Sequence, residues 1–106
     1  MPKFLWKASY TSEGVKGLLK DGGTGRQAAV EKMTQALGGK LEAFYFAFGE
    51  DDVYVIADLP DKSTAAAISL TINAQGAVQL KTVELLSAAE LDEATKKSVD
   101  YRPPGR

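Results

Sequence analysis

The segment Lys40-Leu41-Glu42-Ala43-Phe44-Tyr45-Phe46-Ala47-Phe48-Gly49-Glu50-Asp51-Asp52-Val53-Tyr54-Val55-Ile56-Ala57-Asp58-Leu59 decides the fold. Two runs of aromatic and β-branched residues, Lys40 to Phe48 and Val53 to Leu59, flank the polar turn Gly49-Glu50-Asp51-Asp52. So short a turn between two such runs makes an antiparallel hairpin. Side chains alternate across a strand, so each residue is assigned to a face. Leu41, Ala43, Tyr45 and Ala47 take one face of the first run, and Phe44, Phe46 and Phe48 the other. In the second run Val53, Val55 and Ala57 oppose Tyr54 and Ile56. Both faces are apolar, and both need cover.

Toward the N-terminus, Lys3 to Tyr10 reads as a strand, with Phe4, Trp6, Ala8 and Tyr10 on one face. Thr11 is an N-cap, and Glu13 lies in the first turn, where the helix dipole favours a negative charge. The stripe Val15, Leu18, Leu19 stops at Gly22-Gly23. Thr24-Gly25-Arg26-Gln27 has the T-x-x-Q form of a capping box and restarts a helix. Ala29, Val30, Met33, Ala36 and Leu37 form its buried stripe, and Gly38-Gly39 ends it.

Toward the C-terminus, Asp61 or Ser63 caps a helix through Ala65, Ile68 and Ile72, stopped by Asn73-Ala74-Gln75-Gly76. Ala77 to Leu86 is the last strand. Ser87-Ala88-Ala89-Glu90 is a capping box, with Leu86 and Leu91 placed as a hydrophobic staple. A final helix is expected to about Ser98, with residues 98–106 an extended arm, because Pro103-Pro104 imposes polyproline-like geometry.

The order βαββαβ defines an α+β, ferredoxin-like domain spanning residues 1–106, with a four-stranded antiparallel sheet and both main helices on one face. Two helices cover one face only. A second copy, packed sheet against sheet as a dimeric α+β barrel, covers the other without exposing a large apolar patch. The extra helix or the Pro-Pro arm folding back is the alternative cover, and the arm could also cross to the partner.

Composition narrows the chemistry. The 106 residues suit one small domain. Thirteen basic and fourteen acidic residues leave a net charge of −1, against a nucleic-acid partner or an anionic membrane. The absence of His and Cys excludes disulfides, thiolate nucleophiles, Cys/His zinc sites and Ser-His-Asp catalysis. No cofactor is expected. No apolar stretch suits a secretory signal or a membrane span, so the cytoplasm is the expected compartment.

Ala8-Ser9-Tyr10-Thr11, Glu13-Gly14-Val15-Lys16-Gly17-Leu18, Gly39-Lys40-Leu41-Glu42, Phe46-Ala47-Phe48-Gly49, the run Val53 to Asp61 and the closing Tyr101-Arg102-Pro103-Pro104-Gly105 together resemble the GYD-domain family of bacterial proteins. The resemblance covers nearly the whole chain and implies a ferredoxin-like subunit of a dimeric α+β barrel. It brings no catalytic residue, cofactor or activity. The Gly-x-Tyr-Asp signature stands here as Gly49-Glu50-Asp51-Asp52, with Asp51 in the tyrosine place, so no role of that tyrosine carries over.

Trp6, Tyr10, Tyr45 and Tyr54 are ligand-pocket candidates, with Arg26 as a charge that could hold an anion beside the Gly22-Gly23-Thr24-Gly25 turn. Packing in the core or at an interface, where Tyr and Trp are common, is the more ordinary reading of the aromatic residues. Glu50-Asp51-Asp52 lacks the ligand spacing of a calcium loop and reads as a solvated turn, with Asp52 bonding backbone amides. Asp58 is the candidate general base if buried. Three functions fit: a homo-oligomeric small-molecule-binding module, a protein-interaction module, and a cofactor-free oxygenase or isomerase using a carboxylate base.

Overall fold

The computed structural model describes all residues from Met1 to Arg106. Its elements are β1 (Lys3–Tyr10), α1 (Ser12–Ala36), β2 (Lys40–Phe46), β3 (Val53–Asp58), α2 (Lys62–Gln75), β4 (Val78–Leu85) and α3 (Ala88–Thr95). The four strands form one antiparallel sheet in the order β2-β3-β1-β4, the ferredoxin-like arrangement. No helix is long and apolar enough to cross a membrane.

The helix ends follow the local chemistry. Thr11 Oγ1 accepts from the Gly14 N–H at 3.2 Å and donates to the Gly76 carbonyl at 2.9 Å, so one hydroxyl caps α1 and ties it to the end of α2. Gly22 (φ 74°, ψ 166°) breaks α1 into two halves in a conformation open essentially to glycine alone. The restart therefore falls at Gly22 itself. Thr24 is already inside the second half, and no Thr24–Gln27 capping box forms. At its far end Gly39 N–H donates to Thr34 O at 2.9 Å and Gly38 N–H to Gln35 O at 3.0 Å, a Schellman closure. Asn73 Oδ1 accepts from Leu80 N–H at 2.8 Å, and its amide donates to Leu80 O at 3.1 Å. That bracket satisfies the backbone groups of Leu80 on the edge strand β4.

The core lies between the sheet and the two long helices. Phe4, Trp6 and Ala8 of β1, Val53, Val55 and Ala57 of β3, and Leu59 pack on Ala65 and Ile68 of α2. The β2 face assignment needs one correction. Leu41 pairs with Ala57, and Ala43 with Ile56, so Glu42 is bulged out of the ladder. Leu41 therefore shares the helix face with Phe44 instead of lying opposite it, and packs on the core. β2 also ends at Phe46, two residues short of the expected boundary, and Phe48 is fully exposed.

The outer face is organised in rows across the whole sheet. Ala43, Ile56, Leu5 and Val83 form an apolar row through β2, β3, β1 and β4. Beside it run Tyr45, Tyr54, Lys7 and Lys81, aromatic on one half and cationic on the other. On the other side Lys3 is bonded to Asp58 at 2.9 Å and Glu42 at 2.7 Å, which holds its ammonium pKa above the ordinary lysine range.

Tyr45, Tyr54 and Val83 of that face are exposed. α3 stops at Thr95, short of Ser98, and buries no residue. The capping box at Ser87 and Glu90 is present, but Leu86 and Leu91 remain exposed. Every hydrogen bond of residues 87–106 stays within that segment. The arm ends in a turn, with Arg106 N–H donating to Pro103 O at 3.3 Å, and is not extended throughout. The radius of gyration, 16.9 Å, exceeds the ~13 Å of a compact chain of about 100 residues. Neither α3 nor the arm is hydrogen-bonded to the sheet.

The two caps give a pH prediction. Asp61 is held below the ordinary carboxylate range by the Thr64 N–H and then its hydroxyl, and Glu90 by hydrogen bonds at Ser87. Folded-state values below the unfolded ones mean a contribution present above the unfolded value and lost as pH falls through the folded one. Acidification below about pH 4 is expected to fray the first turns of α2 and α3, read as faster exchange at the Thr64 and Ser87 amides. Asp61→Asn keeps an acceptor and should remove the dependence at α2 alone.

Candidate functional site

Large and small side chains alternate on the helix face of β1: Trp6, Ala8, Tyr10. Ala8 leaves space above the sheet between two aromatic residues. The kink at Gly22 turns the second half of α1, so that Arg26, Val30 and Met33 lie over that space. With Phe44, Val53, Val55, Ile72, Val78 and Leu80 they enclose a cavity of about 80 Å³. Arg26 is the only charged residue in its lining.

The Arg26 guanidinium and the Tyr10 hydroxyl are the polar groups the lining presents. The Trp6 ring lines the cavity, but its indole N–H is fully buried, as is the hydroxyl of its cross-strand neighbour Thr82, and neither has a hydrogen-bond partner or opens to the cavity. The nearest acid to Arg26 is Asp21, with Nη1 to Oδ2 at 3.9 Å, too far for a hydrogen bond. Tyr10 is anchored through its backbone, whose N–H donates to Asp52 Oδ2 at 2.8 Å. Its hydroxyl has no protein partner.

The cavity opens outward past Tyr10 and Arg26. A vestibule of about 210 Å³ shares Tyr10, Arg26 and Val78 with it and adds Glu13, Gly14, Gly17, Leu18, Asp21 and Ala77. Beyond, an open groove of about 490 Å³ runs between the first half of α1 and the end of β2. Val15, Leu18, Leu19, Phe46 and Phe48 give it an apolar lining, and Tyr10 belongs to all three spaces.

Of the sequence candidates, the structure brings Trp6, Tyr10 and Arg26 together. Tyr45 and Tyr54 are cross-strand partners on the outer face and do not reach this cavity. Asp58 also faces outward, paired with Lys3, and is no base for it. The acidic turn is not simply solvated. Asp51 is buried, accepting from Ser9 Oγ at 3.1 Å with Lys81 Nζ at 3.5 Å. Asp52 bonds a backbone amide as expected, on β1 rather than within the hairpin. Sequence reading missed the apolar groove, because its walls come from segments some thirty residues apart. The exposed aromatic run ending at Phe48 was the available signal.

The profile of the GYD domain matches residues 4–95. This chain belongs to the GYD domain family. The matched span begins at Phe4, the first core residue of β1, and ends with Thr95, the last residue of α3. The GYD domain here thus comprises the sheet, both long helices and α3, while residues 96–106 lie beyond it. Neither a curated protein nor a solved structure matches this GYD domain.

Proposed function

We propose that this GYD domain is a homodimeric small-molecule-binding module. The observation that carries the reading is the convergence of Trp6, Tyr10 and Arg26 on one enclosed apolar cavity with an open approach. A few polar groups converging on an apolar pocket is the usual make-up of a ligand site.

The assembly rests on the outer face. Its apolar row matches itself under a two-fold axis parallel to the strands. The same operation sets the Tyr45–Tyr54 half of one copy against the Lys7–Lys81 half of the other, a cation–π arrangement. The C-terminal arm, which makes no hydrogen bond to the rest of its own subunit, crosses to the partner. A dimeric α+β barrel is the resulting form.

A cofactor-free enzyme would need a carboxylate at the cavity. None lines the inner chamber, and the nearest acids, Glu13 and Asp21, are exposed on α1. Binding therefore takes precedence. Native mass spectrometry of protein purified without added ligand tests the reading, with a dimer carrying a discrete excess mass as the expected result. A monomer would overturn the assembly. A dimer that carries no excess mass and takes up no small apolar compound would overturn the binding role.

A further inference from the structure

We infer that the molecule held in this cavity is a carboxylate on a small apolar body, with Arg26 as its counter-charge. This rests on the binding role proposed above and names the ligand class. The site offers the Arg26 guanidinium and the Tyr10 hydroxyl, and neither donates a hydrogen bond to a protein group. Arginine can only donate. The missing partner is therefore an acceptor, and beside a guanidinium an anionic one. A carboxylate places two oxygens against the guanidinium fork, which a single hydroxyl cannot do, and an ammonium would be repelled.

The charged groups at the vestibule set the terms. Asp21 holds Arg26 only weakly, at 3.9 Å, and a ligand carboxylate displaces it. Glu13 opposes the ligand charge, but it is exposed and screened by solvent. All the other residues lining the inner chamber are apolar. At about 80 Å³ it takes several carbons and no polycyclic body, the space for one water being roughly 10–15 Å³ on this measure.

Trp6 is the only tryptophan, so its emission reports on this cavity alone. The whole protein is titrated with hexanoate and with hexanol. Hexanoate is expected to change Trp6 emission saturably and to bind at least about tenfold tighter than the alcohol. Arg26→Leu should abolish that preference, Arg26→Lys should keep part of it, and Asp21→Asn should tighten hexanoate. Equal binding of acid and alcohol, or a preference unchanged in both Arg26 variants, overturns the carboxylate assignment and leaves the binding role standing. No response to either compound overturns both.

Discussion

Replacing Gly14 by Ala is expected to destabilise the fold by about 3 kcal/mol or more, while Gly17→Ala on the same helix stabilises it by up to ~1 kcal/mol. Gly14 is buried where α1 crosses the start of β4. A methyl group built there falls inside the contact radius of the Ala77 carbonyl oxygen and also meets the Tyr10 ring at 3.1 Å. The carbonyl cannot give way. Its residue is held by the Thr11 N–H, which donates to Ala77 O at 3.1 Å, and by the Thr11 hydroxyl at 3.2 Å. Relief would require moving α1 off the sheet, which strips the Thr11 cap and opens the vestibule. Gly17, one turn on, has nothing within 4 Å, so Ala there only improves helix propensity. Thermal melts of the two variants check the contrast. Similar melting temperatures would mean that α1 does not seat on β4 in this way.

Much of this fold is legible because local rules agree along the chain. Thr11, Asp61 and Ser87 cap the helices they precede, and Gly38, Gly39 and Gly76 end the helices they follow. The strand order follows from βαββαβ without further information. Where reading fails, a non-local cause is at work. Strict alternation puts Leu41 opposite Phe44, but the Glu42 bulge depends on the register with β3, which no single strand encodes. Asp51 looks like a loop acid, yet its burial depends on Ser9 and Lys81, about forty and thirty residues away in the chain.

The site was half visible for the same reason. Residue type marks Trp6, Tyr10, Tyr45 and Tyr54 alike, and only sheet geometry separates them. β1 faces its aromatic side chains toward the helices, whereas the hairpin tyrosines face away. Arg26 stood out beside a glycine turn, but its environment comes from the Gly22 kink that swings the following helix over Ala8. The kink was legible, the direction it imposes was not.

The outer face yields the second large effect. If the proposed sheet-to-sheet dimer forms, Ile56→Asp is expected to convert it to a folded monomer, weakening association by at least about 100-fold. Ile56 lies in the interior of the apolar row, between Ala43 and Leu5. In the isolated subunit that face meets water, so a carboxylate there costs the monomer little. Between two sheets packed ~10 Å apart it would be desolvated, and the two-fold axis brings a second copy of the charge to the same interface. Leu70→Asp is the matched control, because Leu70 is as apolar and largely exposed but lies on α2, away from the outer face. Sedimentation equilibrium with a thermal melt separates association from folding. Ile56→Asp that folds and stays dimeric at wild-type affinity would remove the sheet-to-sheet assembly. Dissociation by both variants would show that helix α2, rather than the apolar row, contributes to the contact.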